Sequence, residues 1–118
     1  MANQPIPVST ANAMISDYIA YMTKLGVDMN NQTQNVAFDG TILMNWLGTV
    51  MPYADELRVC MGQYPSGNAQ AGRTTVILWP YKNGQPATMP SPPIGGSGGM
   101  TPADDQTIDP FNDGHSHP

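Results

Sequence analysis

Two segments decide the fold: Glu56-Leu-Arg-Val-Cys-Met-Gly-Gln63 and Thr74-Thr-Val-Ile-Leu-Trp-Pro-Tyr81. In the first, Leu57, Val59 and Met61 alternate with Arg58, Cys60 and Gly62, the period of two that assigns each set to one face of a strand. The second is dense in β-branched and aromatic residues, which suit a pleated surface. Between them lie Tyr64 to Arg73, with Pro65, Gly67 and Gly72 as turn formers. This connection is too short for the helical crossover that a parallel pair needs, so the strands pair antiparallel. Pro80 has no N–H, and it belongs at its strand's end or with its nitrogen turned off the ladder. Asn83-Gly84 is a tight-turn dipeptide that allows a short further strand from Gln85.

Upstream of this pair the period is helical. Ala11, Met14, Ile15, Tyr18, Ile19, Met22 and Leu25 recur at the spacing of one buried helix face. Ser9 or Thr10 can cap the first turn, and Gly26 stands where a left-handed residue ends a helix. Asp28 to Gln34 reads as a polar loop and Asn35–Phe38 as a short extended piece. Asp39 can cap a second helix over Gly40–Met51, with Ile42, Leu43, Trp46, Leu47, Val50 and Met51 on its apolar side. Gly48 weakens it by roughly 1 kcal/mol relative to Ala, and Pro52 stops it. The expected fold is therefore α+β in two layers: two helices packed on one face of a small, mainly antiparallel sheet, with an extended C-terminal tail.

The chain has 118 residues, one domain's worth. Only 11% are charged, against roughly 25% in an average domain. The net charge is −5, and the bases are Lys24, Arg58, Arg73 and Lys82. Four scattered cations cannot neutralise a run of phosphates, which argues against nucleic acid and against an anionic membrane surface. No apolar run approaches the ~18 residues of a membrane span. From Asn83 onward thirteen of thirty-six residues are Pro or Gly, and residues 101–118 hold four aspartates and no base. Ser91-Pro-Pro-Ile-Gly-Gly-Ser-Gly-Gly99 has linker composition. These shifts divide the chain into a small α+β domain, 1–85, and a Pro/Gly/Asp-rich tail, 86–118. One cysteine suits a reducing compartment. The opening residues carry neither a basic n-region nor an apolar h-region, so a cytoplasmic location is expected, with export by a non-Sec route left open.

Three patterns could carry chemistry. Gly67-Asn-Ala-Gln-Ala-Gly-Arg-Thr74 differs from a P-loop by Arg for Lys, but such a loop must lead into a helix, and strand residues follow here, so a hairpin loop is the better reading. Cys60 shares its face with Arg58, a cation that could activate a thiol, yet no histidine lies near in sequence, and a structural thiol is the commoner role. In the tail, Asp113, His115 and His117 supply oxygen and nitrogen donors for a divalent transition metal such as zinc, nickel or copper, whereas a closed site needs about four ligands in fixed geometry. A solvated acidic terminus is the plainer alternative. Phe111, set among turn formers in Asp109–Gly114, could instead anchor a docking segment. Tyr64, Trp79 and Tyr81, with Tyr53, flank the strands and could form an aromatic patch for a partner. Nine methionines are many for this length; Met14, Met22 and Met51 are expected to fill the core.

The segments Ala54–Tyr64 and Gly72–Tyr81, following a capped first helix, resemble small uncharacterised proteins of Bacteroidetes with a helix–strand–helix–strand–strand core and a Pro/Gly-rich tail. The resemblance implies a bacterial origin and supplies no catalytic residues. The expectation for function is a non-enzymatic interaction or self-assembly module, whose partner is itself or another protein. The alternative is a small metal- or ligand-binding protein using the terminal Asp/His cluster.

Overall fold

The computed structural model describes residues 3–90, 105–112 and 115–117, the last three by backbone alone. Helix α1 (Val8–Lys24) is followed by strand β1 (Asn35–Ala37), helix α2 (Gly40–Val50) and a 3-10 turn at Met51–Tyr53. Then come β2 (Glu56–Gln63), β3 (Thr74–Lys82), β4 (Gln85–Pro86), β5 (Thr88–Pro90), β6 (Asp105–Thr107) and β7 (His115–His117). The fold is α+β. β2, β3 and β4 form one antiparallel sheet in that order, while β5–β6 and β1–β7 are separate antiparallel pairs.

The segments Glu56–Gln63 and Thr74–Tyr81 form the long hairpin, in register from Glu56↔Tyr81 to Gln63↔Thr74. Tyr64 N donates to Arg73 O at 2.9 Å and Gly72 N to Tyr64 O at 3.0 Å, closing the loop. Gly67 and Gly72 have φ of +93° and +85° there, which a side chain would strain. Asn83 and Gly84 both have positive φ, the twist a two-residue hairpin turn requires, and they lead into β4.

α2 follows the expected chemistry. Asp39 Oδ1 accepts from Ile42 N at 2.9 Å, a cap that contributes about 0.5–2 kcal/mol. The α-helix ends at Val50, and Pro52 sits in the 3-10 turn that follows.

α1 departs from expectation at its start and along its face. It begins at Val8, with Pro7 as N-cap and no side-chain cap, so Ser9 and Thr10 lie within the first turn. The proline's fixed φ presets the entry, and its carbonyl accepts from Ala11 N at 3.0 Å. The end is as read: Gly26 N donates to Thr23 O and Val27 N to Met22 O, the double closure that a left-handed glycine permits. The apolar stripe, however, is not core. No residue of α1 is buried, and Met14, Ile15, Tyr18 and Leu25 are exposed. Helical spacing says which side is apolar, and it does not say what that side lies against.

The buried cluster is built from other segments, without α1. Val50, Ala87 and Ile108 form the central cluster, flanked by Trp46, Met51, Ala54 and Met89. Two of those three buried residues come from beyond the boundary drawn at residue 85. Ile108 N donates to Ala87 O at 3.0 Å, and Phe111 exchanges two 2.9 Å backbone bonds with Leu78. The loop read as merely polar also enters the fold: Met29 and Thr33 are buried, and Gln32 Oε1 accepts from Thr74 N at 2.8 Å. The linker-like run from Ser91 to Gly99 lies outside the described residues.

Candidate interaction edge

β3 has a partner along both edges. On the side away from β2, Thr74 is met by Gln32 and by the Thr33 hydroxyl, and Val76 O accepts from Asn112 Nδ2 at 2.7 Å. Leu78 pairs with Phe111, Pro80 O accepts from Ala87 N at 2.9 Å, and Lys82 pairs with Gln85. The proline nitrogen thus falls on this side, where no β2 donor is lost.

Backbone polar groups alternate between the two edges of a strand. Because Leu78 turns both its groups toward Phe111, Ile77 and Trp79 turn theirs toward β2, where they meet Cys60 and Arg58. Leu57, Val59, Met61 and Gln63 are left pointing outward, with no backbone partner among the described residues. The free edge is eight residues long, about 26 Å at strand rise. Its side chains are open as well: Val59 is 60% and Met61 69% exposed, whereas Leu78, directly across from Val59, is 6% exposed.

The two faces of the hairpin differ. Leu57, Val59 and Met61 share theirs with Val76, Leu78 and Pro80. Near Met61 and Val76 a cleft of about 170 Å³ opens beneath Tyr18 of α1. The opposite face carries Glu56, Arg58 and Cys60 with Trp79 and Tyr81. Arg58 binds Glu56 Oε1 at 3.0 Å and lies 3.9 Å over the Tyr81 ring. Both ions of that pair are about half exposed, so it adds no more than ~1 kcal/mol. It engages the cation that would otherwise stand beside Cys60. Trp79 Nε1 is buried with no hydrogen-bond partner among the described residues.

The residues singled out from sequence do not gather into one patch. Trp79 and Tyr81 are half-buried neighbours, their rings 6.3 Å apart. Tyr64 is buried at the hairpin end. Phe111 is occupied within the chain, 4.8 Å from Trp46 and 5.7 Å from Phe38 between ring centroids. The Gly67–Thr74 stretch is the loop between two antiparallel strands, and no helix follows it to hold a phosphate. Asp113 lies outside the described residues. His115 and His117 stand opposite Ala37 and Asn35 in the β1–β7 pair. Among the described residues no three His, Cys, Asp or Glu side chains converge, and no helix is long and apolar enough to cross a membrane.

So few strands are expected to leave an edge that another copy or a partner could extend, and what sequence reasoning did not identify is that this edge is the outward one of β2. Strand period identifies two faces, but which edge is filled depends on segments far along the chain, with Gln32 and Thr33 reaching Thr74 and Phe111 reaching Leu78. A scan against family models, a search of curated proteins and a search of solved structures find no match to this chain.

Proposed function

We propose that this protein is a non-enzymatic interaction module that works by associating with further polypeptide, its own copies included. The outward backbone groups of β2, without a partner among the described residues and bordered by exposed Val59 and Met61, carry this reading. Free strand edges are templates for another strand, and native proteins usually blunt them with lysine, proline or a covering segment. β2 has no lysine or proline, and its single arginine is tied to Glu56. The exposed apolar side of α1 adds surface of the same kind. Residues 1–100 hold five acids and four bases, so charge repulsion between copies is weak across this part of the chain.

The test is the solution mass of the untagged full chain by light scattering across a concentration series, with a chelator present. The expected mass rises above 12.6 kDa as concentration increases. A mass fixed at the monomer value throughout overturns the self-assembly reading.

A further inference from the structure

We infer that the occupant of the free edge is β2 of a second copy, paired antiparallel about a two-fold axis through Cys60. This rests on the self-association proposed above and adds its surface, partner and register.

The register follows from which groups are free. In an antiparallel pair the residues that exchange backbone bonds across the new junction must be the outward ones of both strands. Those are Leu57, Val59, Met61 and Gln63. Only one alignment pairs all four: Leu57 with Gln63 of the second copy, Val59 with Met61, and the reverse. Sliding by two residues in either direction leaves one of the four without a partner. A slide by one sets outward groups against inward ones and loses the bonds altogether.

The side chains agree with this alignment. On one face Val59 and Met61 of each copy meet in a four-residue apolar cluster beside Val76 and Leu78, covering two of the most exposed apolar side chains of the sheet. On the other face Arg58 lies opposite Gly62, where there is no side chain to obstruct the guanidinium. Glu56 and Arg58 of one copy stand well away from their counterparts, so no like charges are opposed. The two Cys60 residues fall opposite each other in a pair without backbone bonds, where Cα atoms approach to about 4.5 Å, inside the range a disulfide can bridge. The junction is small for a protein interface, so exchange between monomer and dimer is expected to be fast and concentration-dependent.

The alignment is tested by charge placement at two exposed positions. Val59→Lys with Met61→Lys sets ammonium groups directly opposite one another at the junction, and Val59→Lys with Met61→Glu sets opposite charges there. The first variant is expected to raise the dimer dissociation constant by at least about tenfold, and the second to keep it within about threefold of the parent. Light scattering reads the mass, and circular dichroism of each variant checks that the monomer is folded. In the parent, diamide is expected to join Cys60 to Cys60 in a disulfide as the oxidant takes up the two electrons and two protons. In a Cys60→Ser background, Arg58→Cys is expected to give no cross-link, because those positions lie four residues out of register. A dimer that forms equally in both charge variants, or that cross-links through position 58 and not 60, overturns the edge or its register while leaving self-association intact. A parent that stays monomeric overturns both.

Discussion

The two edges of the β2–β3 hairpin are built from similar residues and have opposite fates. Along the far edge of β3, Gln32, Thr33, Asn112, Phe111, Ala87 and Gln85 take up the backbone groups from Thr74 to Lys82. Along the outer edge of β2, the described residues supply nothing. Val59 and Leu78 show the contrast most directly, because they face each other across the same pair of strands and are 60% and 6% exposed. Both residues are apolar, and the exposed one, β-branched Val59, is the better strand former of the two. What differs is the arrival of the 105–112 segment on one side only, and a strand residue is core only where something lies over it.

The largest effect should come from removing that segment. Ending the chain after Pro86 deletes Ala87, Ile108 and Phe111 and bares the β3 edge, so cooperative thermal unfolding is expected to disappear. A truncated chain that still melts cooperatively would show that residues 1–86 suffice and that the two edges are less unequal than the contacts imply. Next is Leu78→Ala, expected to cost about 2–5 kcal/mol in urea unfolding, with Ile108→Ala near the lower part of that range. Asn112→Ala removes two hydrogen bonds from the filled edge, to Thr75 Oγ1 and Val76 O, and should cost about 1–2 kcal/mol. Smallest is Val59→Ala, expected to fall within about 0.5 kcal/mol of the parent monomer. If Val59→Ala cost as much as Leu78→Ala at concentrations where the protein is monomeric, the contrast would be broken. Amide exchange sharpens it without mutation: in the monomer the N–H groups of Leu57, Val59 and Met61 should exchange far faster than those of Leu78 and Ile108.

The two helices repeat the lesson. Both have apolar residues at helical spacing, and both end where their chemistry says they should, at Gly26 and before Pro52. α2 has a cap, a buried Val50 and a Trp46 ring packed on Phe111. α1 has the longer stripe and no buried residue. Phe111 explains part of the difference, since a residue expected to dock on another protein fills the site beside α2 instead.

Local chemistry was therefore legible in the chain. The period of β2, the branched and aromatic run of β3, the Asp39 cap, the Asn83–Gly84 turn and the Gly26 stop are each determined within a few residues, because backbone sterics and nearest-neighbour hydrogen bonds act over that range. The α+β class follows from their order. Which apolar face is buried, and which strand edge is closed, could be decided only by tertiary structure. Those outcomes depend on Thr33 reaching Thr74, Asn112 reaching Val76 and Ile108 reaching Ala87, contacts that span 41, 36 and 21 residues and leave no periodic trace in sequence. A segment of Pro/Gly-rich composition became part of the core because Ile108 and Phe111 bury apolar surface against α2 and β3, and average composition does not register two well-placed side chains.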